Sequence, residues 1–199
     1  ELQKRLARSE GRNGRAEEAR LLVEMAETAH AEGQTDEERR ALRRALRRDP
    51  ECVAAWIHLG TLEAERGHAK RALAAWQKVP ELDRRRAAEV YPRLEASYAA
   101  LGRAREFEGY LRELLQRRPG DVDASLALAR ALSARGETAA AIAEVRAVLE
   151  RDVENLQAHA VLSRVLLSPG MEAEAVRQLE ELVGLLERSG LMEKREFTG

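Results

Sequence analysis

The residues that could do chemistry are few and scattered. Histidines stand at His30, His58, His68 and His159, and Cys52 is the only cysteine. No two histidines lie three or four residues apart, and none lies that close to Cys52. A helix therefore cannot gather them as metal ligands. One cysteine excludes an internal disulfide and a multi-cysteine zinc site. Cys52 falls at a predicted helix start, where a thiol can be activated by the helix dipole and where an inert small residue also fits. The phosphate-binding G-x-x-x-x-G-K-[ST] loop, the G-x-S-x-G elbow and H-E-x-x-H are all missing from the sequence. Acidic pairs such as Glu17-Glu18 and Glu180-Glu181 fall at helix-surface positions, where carboxylates are solvated. The sequence thus predicts a chain without catalysis, metal or cofactor.

Composition narrows the class further. The 199 residues carry 34 basic and 35 acidic side chains, a net charge of -1, so overall charge does not argue for nucleic acid or a membrane surface. Aromatics are only 4%, while Ala, Leu, Arg and Glu dominate, which favours helices packed through small residues. Lysine occurs only at Lys4, Lys70, Lys78 and Lys194. No apolar run reaches the roughly 18 residues of a membrane span, and no signal peptide is visible. The lone cysteine agrees with a reducing, cytoplasmic setting. The sequence opens at Glu1, without Met, inside a helical pattern, and reads as a fragment of a longer protein.

The elements that would carry any site repeat along the chain. Gly33, Gly67, Gly102, Gly136 and Gly170 recur every 34 or 35 residues, each between two helical patterns. Between Asp49 and Val79, Trp56, Leu59 and Gly60 stand at W-x2-L-G spacing, and Ala72 and Trp76 follow at A-x3-F spacing. Trp56, Leu59 and Leu62 mark one buried stripe. Gly60 lets a partner helix come close, Gly67 can end the first helix in the left-handed conformation, and Trp76 fills the gap. This stretch resembles the tetratricopeptide pattern, departing from it at Glu63, where Tyr is usual.

The resemblance implies an all-α fold, a tetratricopeptide-repeat solenoid of about five helix pairs in a right-handed superhelix. Residues 1–15 read as the end of a preceding repeat and a Gly-Asn-Gly loop. Units follow near 16–50, 51–83, 84–120, 121–154 and 155–188, then a polar tail over 189–199. Leu22, Met25 and Ala26 are predicted inside the first unit, with Thr35 or Asp36 capping its second helix, and Glu38 stands where a small residue is usual. The arginines of 39–48 share one face, either solvated or set against an acidic partner or lipid. Pro80 should stop one helix early, and Pro92 should kink the next or delay its start. Phe107 replaces the usual Ala. Leu94, Tyr98, Phe107, Leu111 and Leu114 are predicted buried in the third unit, and Leu162, Leu166, Ala175, Leu179 and Leu182 in the fifth.

In the tetratricopeptide geometry the first helix of each pair lines a concave groove. Projection onto this sequence selects Arg20, Val23, Glu27 and His30 in the first unit, Ala54, Ile57, Thr61 and Ala64 in the second, Glu89, Pro92, Ala96 and Ala99 in the third, Asp123, Leu126, Arg130 and Ser133 in the fourth, and Gln157, Ala160, Arg164 and Leu167 in the fifth; Arg20, Val23, Ile57, Thr61, Leu126, Arg130, Arg164 and Leu167 are the candidate contacts. A protein or peptide segment is the implied ligand. The asparagines, Asn13 and Asn155, both fall in predicted loops, so a Lys/Asn carboxylate clamp is absent. Arg130 and Arg164, one repeat apart, could take an acid group of the ligand, or could pair with groove carboxylates such as Asp123.

Two longer stretches, ALRRALRRDPECVAAWIHLGTLEAERGHAKRALAAWQKV and AAEVYPRLEASYAALGRAREFEGYLRELLQRRPG, resemble the lipopolysaccharide assembly protein B (LapB) family. The positions of Pro80, Pro92 and Phe107 carry this likeness. It implies a non-catalytic adaptor that presents the deacetylase LpxC to the membrane protease FtsH. The family also has an N-terminal membrane anchor, which would hold the repeats at the cytoplasmic face of the bacterial inner membrane. Its rubredoxin-like metal module needs two C-x2-C pairs, and this chain contains none. A generic repeat scaffold in secretion or pilus assembly is the alternative.

Overall fold

A computed structural model describes residues 2–167 and 170–188 of the chain, and all regular structure among them is helical. The chain divides into two compact units, Glu1–Arg103 and Ala104–Gly199. The first holds α1 (Leu2–Ala31), α2 (Thr35–Arg48), α3 (Val53–Glu65), α4 (Ala69–Trp76), α5 (Lys78–Leu82), a 3-10 turn over Arg84–Glu89 and α6 (Tyr91–Ala100). The second holds α7 (Ala104–Arg117), α8 (Val122–Ala134), α9 (Thr138–Leu149), α10 (Leu156–Val165) and α11 (Glu172–Arg188). Within the units α1 pairs with α2, α3 with α4, α8 with α9, and α10 with α11. No helix among the described residues is long and apolar enough to cross a membrane.

Five of the turns between successive helices follow one design. Gly33, Gly67, Gly102, Gly136 and Gly170 all have φ between 69° and 85°, and no other described residue has positive φ. At Gly67 the backbone closes twice: Gly67 N donates to Ala64 O at 2.9 Å and His68 N to Glu63 O at 2.8 Å. This six-to-one closure satisfies carbonyls that the helix end would otherwise leave open. It recurs at Gly33, Gly102 and Gly136.

Small residues set the spacing inside each pair. In the first, Ala19, Leu22, Val23 and Ala26 of α1 meet Ala41, Leu42 and Ala45 of α2, joined by Ala55 and Leu62 of α3. In the second, a Cβ on Gly60 would lie 2.3 Å from Trp76 Nε1. The absent side chain thus admits the Trp76 indole, which is 3% exposed and donates from Nε1 to Ile57 O at 3.2 Å. Trp56 is half-buried instead, and its indole donates to Pro50 O at 2.8 Å, tying α3 to the turn before it.

Both prolines act as their chemistry requires. Pro80 has no N–H, so the Trp76 carbonyl lacks an i+4 donor, and α4 ends at Trp76, one turn ahead of the proline. The chain resumes helix as α5, with Pro80 inside it. Pro92 sits in the first turn of α6, where no donor is needed, and the preceding residues coil as a 3-10 turn. Leu94, Tyr98, Phe107, Leu111 and Leu114 are all buried.

Several expectations are corrected. The loop expected within residues 1–15 is not formed among the described residues: α1 runs unbroken through Gly11, Asn13 and Gly14. Two glycines at about 1 kcal/mol each weaken a helix without ending one flanked by Arg, Glu and Ala. Asn13 is therefore helical. Met25 is 58% exposed, because the buried stripe runs through Ala19, Leu22, Val23, Ala26 and Ala29. Neither Thr35 nor Asp36 caps α2; Gln34 holds that position with no side-chain bond. Leu179 is 43% exposed and Leu182 half-buried, since α11 turns Ala175 and Leu185 inward. The tail beyond residue 188, and Ser168 and Pro169 of the last turn, lie outside the described residues.

Candidate functional site

In the first unit four helices converge on a pocket of about 260 Å³, lined by Glu27, His30, Glu38, Ile57, His58, Thr61 and Arg93. α1 supplies Glu27 and His30, four positions closer to its end than the core residues Val23 and Ala26. α3 supplies Ile57, His58 and Thr61, consecutive on one face by the i+4 rule. α2 supplies Glu38 from its first turn, and α6 supplies Arg93 directly after the proline that fixes where that helix begins.

Two acid–imidazole pairs face the pocket. Glu27 Oε1 lies 3.3 Å from His58 Nε2, and Glu38 Oε2 lies 3.2 Å from His30 Nδ1. Ile57 is 6% exposed and forms apolar wall. The Thr61 hydroxyl donates back to Ile57 O at 3.1 Å. No cluster of three or more metal-ligating side chains occurs among the described residues.

The residues projected from sequence fall into different places. Ile57 and Thr61 line the pocket, as do Glu27 and His30. Val23 is buried at 5% exposure, behind the surface of α1. Arg20 is exposed and pairs with Glu17 at 3.5 Å, one turn away. In the second unit Leu126 is wholly buried, Arg130 is half-buried and already engaged, and Arg164 and Leu167 are exposed. Glu38, His58 and Arg93 were not projected. The signal for Glu38 was present, since a carboxylate replaces a small residue there. His58 and Arg93 gave none, because their roles depend on helices distant in sequence.

A second acidic centre lies nearby in the same unit. Glu63 occupies the position where the repeat pattern has Tyr, and is 2% exposed. His68 Nδ1 binds its Oε2 at 2.7 Å, Arg71 approaches the same oxygen at 3.7 Å, and Arg39 Nε lies 3.3 Å from Oε1. Burial raises the Glu63 pKa, but the His68 hydrogen bond and the charges of Arg39, Arg71 and His68 outweigh it and hold the carboxyl below its ordinary value. In the second unit Glu108 of α7 is likewise 2% exposed, paired with Arg135 at the end of α8 and with Arg112 at 3.6 Å. Arg39 and Glu108 hold equivalent repeat positions with the charges exchanged. Both are structural ties between successive helices.

His159 is also structural. It is 2% exposed, shares a 2.8 Å hydrogen bond with Val153 O through Nε2, and accepts from Gln178 Nε2 at 2.7 Å. Those partners assign the Nε2-protonated form, because a carbonyl oxygen can only accept. Cys52 is half-buried at the start of α3.

Comparison with known proteins agrees with this architecture. A tetratricopeptide repeat model matches residues 19–62, and a second, also described as a tetratricopeptide repeat, matches residues 98–165. No curated protein sequence matches the chain. Among solved structures, MamA from Desulfovibrio magneticus RS-1 is 20% identical with a TM-score of 0.57, covering 86% of this chain and 96% of its own. YrrB, described as a TPR protein with an unusual peptide-binding site, is 16% identical with a TM-score of 0.51, covering 83% and 85%. PilW, described as a widely conserved type IV pilus biogenesis factor, is 16% identical with a TM-score of 0.58, covering 85% and 78%. At these identities the likeness is one of fold.

Proposed function

Because the chain belongs to the tetratricopeptide repeat family, we propose that it is a non-catalytic scaffold that holds a segment of another protein against the first helices of its pairs. The observation that carries this reading is the pocket of the first unit, where side chains of α1, α2, α3 and α6 meet at one open, charged cleft. Such a cleft can fix one side chain of an extended or helical segment while neighbouring surfaces hold the rest. Arg164 and Leu167, exposed on and just after α10, offer a second contact for an acid group and an apolar group of the ligand. Each unit would supply its own surface, with Arg20 and the buried Val23 beneath it in the first, and Arg130 and the buried Leu126 beneath it in the second.

The specific role we propose is that of a LapB-like adaptor. It would link an LpxC-like deacetylase to an FtsH-like protease and so regulate lipopolysaccharide synthesis at the cytoplasmic face of a bacterial inner membrane. Support comes from the two LapB-like stretches and from Pro80 and Pro92, which set where α4 ends and where α6 begins. The experiment is affinity capture with the full-length protein from membranes. Recovery of both partners is expected, with capture reduced by Ile57→Asp and Arg164→Glu. Recovery of other envelope-assembly proteins instead would favour a generic scaffold. Recovery of no protein at all would overturn both readings.

A further inference from the structure

Glu38, Glu63 and Glu108 are the buried glutamates among the described residues. Two of them carry arginines: Glu63 has Arg39 and Arg71, and Glu108 has Arg112 and Arg135. Glu38 does not. Its ion-pair partner among the described residues is His30 alone. Yet its side chain is 6% exposed, nearly as enclosed as the others, and it lines the pocket. A carboxylate taken from water without a permanent cation is unfavourable. A ligand that brings the cation would offset that cost on binding.

The rest of the pocket points the same way. Glu27, the second carboxylate, also faces an imidazole, that of His58, and pairs with no guanidinium or ammonium among the described residues. Arg93 is the pocket's one permanent cation, and its charge acts on Glu89 of the 3-10 turn before α6. With histidine counted neutral, the lining has two negative groups against one positive. Ile57 and the Thr61 methyl provide apolar surface for an alkyl stem leading to the carboxylates.

We propose that this pocket binds one cationic side chain, lysine or arginine, of the held segment, with the charge taken between Glu38 and Glu27. The inference rests on the scaffold reading and gives that segment a chemical identity: it is basic where it meets the first unit. A guanidinium would bridge both carboxylates through its fork of N–H groups, whereas an ammonium would donate to each from one point.

The imidazole NMR signals of His30 and His58 report from within the pocket, and His159 in the second unit is the internal control. The full chain is titrated with Nα-acetyl-lysine amide, Nα-acetyl-arginine amide and, as the opposite charge, Nα-acetyl-glutamate amide. Saturable shifts of His30 and His58 are expected with one or both basic amides, without movement of His159. Binding should weaken about tenfold in Glu38→Gln, from loss of one charge-assisted hydrogen bond. Glu27→Gln, at a more exposed position, supplies the same reading if Glu38→Gln fails to fold. The proposal is overturned by preference for the glutamate amide, by no saturable shift with either basic amide, or by affinity unchanged in both variants. Amide binding without partner capture would count against the adaptor role alone; capture without amide binding would count against this site alone.

Discussion

At the residue scale, two positions carry testable weight. Gly60 is the point of closest approach in the second pair. Gly60→Ala places a methyl into the Trp76 indole ring, where the nearest atom would lie at 2.3 Å. Because the indole is held by Ile57 O and enclosed, it cannot swing aside freely. Overpacking of this kind costs about 1–3 kcal/mol, read as a lower urea midpoint. Glu63 makes stability depend on pH. Its folded pKa lies below the reference value of 4.5, so its stabilisation is fully present above that value and is lost as pH falls through the folded pKa. Urea unfolding should therefore show a decline on the acid side of pH 4.5 that Glu63→Ala removes. At pH 7 that variant should be weaker by about 1–3 kcal/mol, since the half-buried Arg39 is left without its carboxylate. An unchanged acid limb in Glu63→Ala would show that other carboxylates govern it.

Helices and turns were largely legible in the sequence because their signals are local. A glycine every 34 or 35 residues, an i, i+3, i+4 stripe and a proline each act within a turn or two of where they stand. Gly11, Asn13 and Gly14 misled because breakers were weighed without the long, helix-favouring flanks around them. Met25 and Leu179 misled because apolar character was equated with burial, although the inward arc of α1 and α11 is narrower than their apolar surface. The site was less legible. Ile57, Thr61, Glu27 and His30 follow from repeat phase, but Arg93 joins them from α6, an arrangement only the packed helices define. Pro80 tests the local logic directly. Pro80→Ala restores a donor to the Trp76 carbonyl and should fuse α4 and α5 into one helix over residues 69–82. The new amide at position 80 should then be slow to exchange hydrogen. Rapid exchange there would mean that packing, with Gln77 hydrogen-bonded to the Tyr98 hydroxyl at 2.7 Å, fixes the break without the proline.

At the scale of the whole molecule, stability in stacked repeats is a sum of local and nearest-neighbour contributions. Damage should therefore fade along the chain. In Gly60→Ala, hydrogen exchange should quicken in α3 and α4, where Gly60 and Trp76 sit, and remain unchanged in α8, α9 and α10. Uniform acceleration would reveal a single cooperative block. Charge also ties neighbouring helices together within each unit, where a buried glutamate meets a more exposed arginine, as in Glu63 with Arg39 and Glu108 with Arg135. The five glycine turns have a stereochemical consequence of their own. Each lies in the mirror-image half of backbone space, and at Gly33 nothing lies within 4 Å of where an L-alanine methyl would project. Chirality alone should then decide the outcome there. L-alanine at position 33 should cost about 1–2 kcal/mol, while D-alanine, which prefers that half, should gain about 0.4–1 kcal/mol by narrowing the unfolded ensemble. Cys52 makes the comparison feasible: a synthetic segment ending at Glu51 can be ligated to an expressed one beginning at that cysteine. The repeat is in this sense built on five joints of inverted hand, each filled by the one residue that has no hand.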